Sequence, residues 1–345
     1  MDKLFDLQPK RIAIFRALQL GDLLCAIPAV RALKKTYPNA EITLLGLPWA
    51  STFVKRFSNY FSDFIPFPGY PGLIEQPFNP ESFISFLQET NKRNFDLVIQ
   101  MHGNGSIINP MIQTLGSERT AGYYEPAGYC PDPDFYMKYP EGFPEIERHI
   151  RLMEFLGIPS DGREMEFRLS LFDYESFHGL AGKYNLQPKK YVCVHSGARD
   201  TKRWWAPEKF AKVADLIAEK GYTVVLTGTE IERETVRKVE QEMVHPALNL
   251  VGKTDLGTLA VLVKNSKMLF SNDTGVSHIA SSLETPSVII FLASDPKRWA
   301  PFNKDLHQVI LRQEADHLDF VISKVENVLR YEEAETGLLL SQTGY

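Results

Sequence analysis

Short apolar runs and amphipathic helical stretches alternate along almost the whole of this chain, and that alternation leaves few architectures open. A run such as Arg11-Ile-Ala-Ile-Phe-Arg16 carries apolar side chains at consecutive positions, so both of its faces have to be buried. Strands of that kind belong to parallel sheets covered by helices on either side. Further runs fall at residues 41–45, 63–67, 95–100 and 120–124, and later at 191–195, 222–227, 248–251, 267–271 and 286–292. Helical patterns separate them at 22–37, 48–57, 81–93, 207–220, 230–243, 255–265 and 274–282. A chain of 345 residues exceeds one ordinary core. The expected fold class is therefore α/β, with two Rossmann-like doubly wound domains facing each other across a cleft. The boundary is expected within 157–188, a stretch of charged and loop-forming residues read as the hinge, giving domains at 1–170 and 171–315. An amphipathic segment at 317–332, inside a terminal portion 316–345, is expected to pack back on the first domain.

Composition narrows the function classes. Hydrophobic residues make up 44% and charged residues 23%, as in a soluble globular protein, and a net charge of −5 argues against nucleic acid as a partner. Cys25, Cys130 and Cys193 lie far apart with no metal-ligand spacing, so neither a metal nor a disulfide framework is expected. Met1 is followed by Asp2, Lys3 and Asp6 rather than by a long apolar run, which predicts a cytoplasmic location.

Ligands of open α/β sheets bind beyond the carboxyl ends of strands, so the segments following strands carry the functional reading. Four stand out. Leu18-Gln-Leu-Gly-Asp22 follows the first strand; by position Asp22 is either a helix cap or a general base that takes a proton from an attacking hydroxyl. The segment is not the GxGxxG dinucleotide fingerprint. His195-Ser-Gly-Ala-Arg-Asp-Thr-Lys-Arg-Trp204 offers the small residues Ser196 and Gly197, whose backbone N–H groups can approach an anion, and Lys202 as a charge for a diphosphate; a solvated basic loop is the plainer alternative. Ser271-Asn-Asp-Thr-Gly-Val-Ser-His278 sets Asp273, Thr274 and Gly275 at a helix start, with His278 one turn on. Gly228-Thr-Glu-Ile-Glu-Arg-Glu234 places Glu230 and Glu232 where a carboxylate can accept from ribose hydroxyls, or simply favour a helix N-terminus. Two irregular stretches, 66–80 and 123–144, are rich in proline, glycine and aromatics and are candidates for acceptor contact.

In this order, these segments resemble the bacterial heptosyltransferases, glycosyltransferase family 9. The likeness rests on Arg16-Ala-Leu-Gln-Leu-Gly-Asp-Leu-Leu-Cys-Ala-Ile-Pro-Ala-Val-Arg-Ala-Leu33 with the following Tyr37-Pro-Asn-Ala-Glu-Ile42, on His195 to Trp204, on Asn272 to His278, and on Ser294-Asp-Pro-Lys-Arg-Trp299. The resemblance implies a GT-B fold and an inverting, metal-independent transfer of a heptose or related sugar from an ADP-sugar, with no cofactor. It implies Asp22 as the general base and Lys202 as the phosphate-contacting lysine. It further implies Asp273 as a ligand of donor-sugar hydroxyls, and Thr274 and Gly275 as phosphate holders within a motif that ends at His278. The ribose carboxylate maps on Glu230 or Glu232. Where the family often carries a basic residue after the fourth strand, this chain reads Met101-His-Gly-Asn-Gly-Ser, which leaves a glycan, lipid-linked, protein or small-molecule acceptor open. Peripheral association with the inner face of the cytoplasmic membrane also stays open. Two other functions remain: a sugar-nucleotide epimerase or hydrolase on the same fold, and a non-catalytic nucleotide-sugar binding protein.

Overall fold

In the computed structural model, which describes Leu4 and residues 7–342 (side chains as far as Arg330), the chain divides into two compact units, Met1–Arg168 and Leu169–Tyr345. The first unit runs β1 (Arg11–Phe15), α1 (Leu20–Thr36), β2 (Glu41–Gly46), α2 (Ala50–Arg56), β3 (Asp63–Pro66), α3 (Pro80–Lys92), β4 (Leu97–Gln100), α4 (Asn109–Ile112), β5 (Arg119–Tyr124), β6 (Tyr136–Lys138) and α5 (Glu145–Phe155). The second runs α6 (Leu171–Tyr184), β7 (Tyr191–His195), α7 (Pro207–Glu219), β8 (Thr223–Leu226), α8 (Arg233–Glu242), β9 (Leu248–Asn249) and α9 (Leu256–Asn265). It continues through β10 (Leu269–Asn272), α10 (Gly275–Ser282), β11 (Ser287–Phe291), α11 (Pro296–Trp299), β12 (His307–Leu311), α12 (Arg312–Ala315) and α13 (Leu318–Gln342).

Each unit holds one six-stranded sheet, ordered β3-β2-β1-β4-β5-β6 in the first and β12-β11-β10-β7-β8-β9 in the second. Counted within its own unit, the second order is the same as the first, read from the other edge. The ladders are parallel throughout; Ile12 of β1 aligns with Ile42 of β2 and with Leu97 of β4. In this topology the connections leave the first and fourth strands of a unit toward opposite edges, which opens a crevice at their carboxyl ends. That crevice lies after β1 and β4 in one unit, and after β7 and β10 in the other.

The central strands are buried apart from Arg11 at the start of β1. Phe15, Phe67, Phe86 and Ile112 form one core of the first unit, while Phe210, Phe270, Trp205 and Val288 form one of the second. Val321, Val325, Val328 and Leu329 of α13 join that second core, so the described apolar face of this helix is used within its own unit. The expected return of segment 316–345 onto the first domain lies, for the side chains beyond Arg330, outside the described residues.

The two units divide between Arg168 and Leu169, within the stretch 157–188 where the boundary is expected, but that stretch is not all loop. Helix α6 occupies 14 residues of it, opened by a reciprocal cap in which Asp173 N donates to Ser170 Oγ at 3.2 Å and Ser170 N to Asp173 Oδ2 at 2.7 Å. Asn185, in the left-handed region at φ 53°, closes it. Phe177 on its inner face is buried against Tyr191 and Val261. Among the described residues no helix is long and apolar enough to cross a membrane.

Candidate active site

At the carboxyl end of β1 the chain turns directly into α1. Asp22 is not the helix cap itself. The helix begins at Leu20, Gln19 is the N-cap, and Asp22 is the third helical residue, whose Oδ2 accepts from Gln19 N at 3.3 Å. Its other oxygen lies 3.7 Å from Arg16 Nη2, and the side chain keeps 21% of its surface exposed. Arg16 beneath it is fully buried. It donates through Nε to Asp22 O at 2.8 Å, through Nη1 to Met101 O, and through Nη2 to Glu145 Oε1 at 2.9 Å. A guanidinium removed from water needs this degree of pairing, because breaking a buried ion pair costs about 3–5 kcal/mol.

The segment after β4 closes the same crevice. His102 is buried; its Nδ1 accepts from Ala17 N at 3.3 Å, and its Nε2 lies 3.9 Å from Glu75 Oε1 in the 66–80 stretch. Burial, and then the Arg16 charge, push the imidazole down to about 4, so it is neutral near pH 7. Gly105, at φ 87°, brings the loop so close to β5 that a Cβ would stand 2.3 Å from Tyr123 O.

In the second unit, β7 ends at His195 and passes into the small residues Ser196, Gly197 and Ala198. His195 Nδ1 meets Thr227 Oγ1 at 3.0 Å, and Nε2 faces Glu232 Oε1 at 3.7 Å. Glu232 also accepts from Thr229 N and Oγ1, at 2.7 and 2.8 Å. Burial works to raise this carboxyl, but His195 and the Thr229 donors outweigh it and hold Glu232 at about 2. The carboxylate lies against Gly197, where a Cβ would stand 2.3 Å from Glu232 Oε1.

The loop after β10 is tied to the loop after β7. Asn272 Nδ2 donates to Ser196 O at 2.7 Å, and Trp205 N donates to Asn272 Oδ1 at 3.2 Å. Asp273 is buried and accepts from Ser294 Oγ and from Arg203 Nη1, the latter at 3.4 Å. Thr274 is the N-cap residue of α10, and Gly275 its first helical residue, so their N–H groups head the helix. His278, one turn on, is buried with its ring edge-on to Trp299, at 6.1 Å between centroids. Lys202 stands exposed in the 3-10 turn Thr201–Arg203, whose start Asp200 caps through Lys202 N at 3.0 Å; it makes no ion pair among the described residues. Those residues also hold no cluster of three or more His, Cys, Asp or Glu able to bind a metal.

The model of glycosyltransferase family 9 (heptosyltransferase) matches residues 83–329. The chain belongs to that family. It is a glycosyltransferase, and its fold is GT-B. The lipopolysaccharide core heptosyltransferase OpsX of Haemophilus influenzae is 22% identical over 307 residues, covering 87% of this chain and 84% of that protein. Among solved structures, a family 9 glycosyl transferase from Veillonella parvula superposes with a TM-score of 0.78 at 19% identity, over 95% of this chain and 98% of that one. The Escherichia coli ADP-heptose LPS heptosyltransferase II gives 0.73 at 19% identity, over 94% and 99%.

Within this heptosyltransferase framework, the motifs do not all fall where the sequence put them. Glu230 is a surface residue that accepts from Arg233 Nε and Nη2 at 2.5 and 2.6 Å, while Glu232, two residues on, turns inward to His195 and Gly197. Two residues were missed outright. Arg203 pairs with Asp273, although its neighbour Lys202 draws attention as the basic residue of that loop. Glu145 pairs with Arg16 across 129 positions of sequence. Its only local signal was a carboxylate, an arginine and a histidine at i, i+3 and i+4 of an unrecognised helix, Glu145, Arg148 and His149.

Proposed function

We propose that this chain transfers a heptose from ADP-heptose to a hydroxyl of a lipopolysaccharide-core acceptor, with inversion at the anomeric carbon and without a metal. Family membership over residues 83–329 is the observation that carries the reading. Relatives named for lipopolysaccharide heptosyl transfer supply the donor and acceptor class.

Asp22 is the base. Its carboxylate takes the proton of the acceptor hydroxyl as that oxygen forms its bond to the anomeric carbon. The bond between that carbon and the terminal phosphate oxygen breaks, and its electron pair leaves on ADP. The second unit holds the donor. The N–H groups at Thr274 and Gly275 and the helix dipole of α10 meet the diphosphate, and the exposed Lys202 ammonium neutralises the charge that grows on it. The small residues Ser196 and Gly197 leave room at the end of β7 for the Glu232 carboxylate, beside which the nucleotide lies. Asp273, held by Arg203 and Ser294, accepts from sugar hydroxyls, and His278 supports the turn from within. The ribose carboxylate is Glu232 rather than Glu230, because Glu232 faces the strand ends while Glu230 is engaged by Arg233.

The test is transfer from ADP-heptose to heptose-deficient lipopolysaccharide, with the product linkage read by NMR. An inverted linkage formed undiminished in EDTA is expected. A retained anomeric configuration, or activity that only an added divalent ion restores, overturns the reading.

A further inference from the structure

We propose that Arg203 and Ser294 are positioning residues for Asp273: by holding one oxygen of its carboxylate they keep that charge off the start of α10, whose N–H groups stay open to the diphosphate of the donor. The proposal rests on the assignment of the donor to the second unit.

Other helices of this chain show where a polar side chain at a helix start usually turns. Asp255 opens α9 by accepting from Thr258 N at 2.7 Å, and Asn79 opens α3 by accepting from Ser82 N at 2.8 Å. Such side chains satisfy the first N–H groups of a helix, and a carboxylate is drawn there by the helix dipole as well. At α10 the N-cap residue Thr274 makes no side-chain capping bond. Asp273 stands one residue before it, yet its carboxylate is turned elsewhere. Its Oδ2 accepts from Ser294 Oγ and, at 3.4 Å, from Arg203 Nη1, which lies equally far from Asp273 O. A diphosphate and an unrestrained carboxylate would compete for the same helix terminus. The carboxylate, tethered one residue away, would compete intramolecularly.

Both partners are held from their own segments. Arg203 closes the 3-10 turn after β7, with its N–H on Asp200 O at 3.0 Å. Beyond it Trp204 Nε1 donates to Ala198 O at 2.7 Å, and Trp205 Nε1 to Ala315 O at 3.0 Å. The anchored turn sends two neighbouring cations to different places, Lys202 to solvent and Arg203 to Asp273. Ser294 follows β11 and precedes Asp295, which caps α11 by accepting from Lys297 N at 2.9 Å. Asp273 is fixed in turn through its own N–H on Ile290 O at 2.9 Å. A carboxylate as buried as this one needs partners in any case, and these two also decide its direction.

Acting through Asp273 has a consequence that direct contact with phosphate does not share. Arg203→Gln releases the carboxylate toward the helix start, so ADP affinity should fall about tenfold. Asp273→Asn alone leaves no charge to compete and should bind ADP at least as tightly as wild type. In the double variant the group that Arg203 restrains is gone, and ADP affinity should return to within about threefold of wild type. Ser294→Ala should weaken ADP binding in the same direction by about threefold, whereas Ser294→Thr, which keeps the hydroxyl, should not.

The experiment titrates ADP calorimetrically into the full chain and these variants, with Lys202→Ala beside them. Loss in R203Q and recovery in R203Q/D273N support the proposal, since a merely structural lesion is not repaired by a second substitution that neutralises Asp273. A double variant as weak as R203Q overturns it and makes Arg203 a direct phosphate ligand. An R203Q protein that binds ADP like wild type overturns it too. If R203Q does not fold, S294A with and without D273N decides: loss followed by recovery supports the proposal, and no loss or no recovery overturns it. Failure of the donor assignment looks different, because Lys202→Ala, which has no part in restraining Asp273, would then also bind ADP like wild type.

Discussion

The two units share one strand order, yet the crevices at their switch points are built on opposite plans. In the first, the strand ends converge on a buried network of charged side chains, with Arg16, Glu145 and Arg148 all nearly inaccessible and Asp22 reaching the surface. In the second, they present small residues and helix-start N–H groups, with Lys202 in solvent, Glu232 turned inward to His195 and Asp273 buried beneath Ser294 and Arg203. A diphosphate is a diffuse double charge that backbone donors and a helix terminus can bind without a fixed side chain. A proton-abstracting group has to be one atom in one orientation, and a buried scaffold provides that. On the proposed function, the same topology serves two tasks by changing what stands beyond the strands rather than the strands themselves.

The largest expected effect comes from removing the oriented atom. Asp22→Asn keeps the shape and the contact with Gln19 N but cannot accept the proton, so kcat should fall about 10²–10⁴-fold. Calorimetric affinity for ADP should stay within a few-fold of wild type, because the proposed function gives the diphosphate to the other unit. Comparable losses in both quantities would mean that the division of labour between the units is wrong.

Acid stability should sharpen the contrast next. Each unit carries a buried neutral histidine, His102 in the first and His307 in the second, and burial lowers each to about 4, with Arg16 and Lys304 adding to the respective shifts. In the unfolded chain a histidine titrates near 6.5, so below that pH the unfolded state binds more protons than the native one. Stability is therefore full above about 6.5, falls as the pH drops, and levels off near 4, by up to about 3 kcal/mol per histidine. Urea unfolding across that window should flatten in His102→Gln and in His307→Gln. A slope that neither variant changes would place the acid sensitivity elsewhere.

These features were unequally legible in the sequence. Strand β7 was readable residue for residue because a parallel strand buried on both faces must be continuously apolar. The edge strands β6 and β12 escaped, since strands paired on one side need less apolar surface; β12 begins with His307 and Gln308. Helix α6 is hard to read because charged and loop-forming residues, two glycines among them, interrupt its apolar pattern, although its Ser170–Asp173 box is a usable signal. Around the candidate site, contiguous motifs showed themselves and long-range pairs did not. Nothing in a linear reading joins Arg16 to Glu145, and local charge alone favoured Lys202 over Arg203 as the residue to watch.

Lys202→Ala tests the solvent-side half of the comparison. A charge-assisted hydrogen bond to phosphate contributes about 1.5–3 kcal/mol, so ADP-sugar affinity should fall roughly 10- to 150-fold. Since Lys202 is exposed and makes no ion pair among the described residues, the melting temperature should hardly move. Unchanged ADP binding would assign the diphosphate to other donors.

The smallest expected effect separates two glutamates two residues apart. Glu230 is exposed, and its pKa is lowered chiefly by the hydrogen bond from Arg233, an arrangement typical of surface ion pairs that contribute little. Glu232 is held low against burial by His195 and Thr229, and its carboxylate fills the space above Gly197. A carboxylate kept ionised and oriented where β7 ends is suited to accept from a ribose diol; one clamped to a neighbouring arginine in solvent is not. Glu232→Gln should weaken ADP binding about tenfold by exchanging a charged acceptor for a neutral one, whereas Glu230→Gln should change it less than about twofold. The deoxyribose analogue of ADP separates a ribose contact from a general loss of packing. It should lose affinity against wild type but little further against Glu232→Gln. If Glu230→Gln proves the more damaging substitution, Arg233 must release its partner when the nucleotide arrives, and the inward carboxylate is structural.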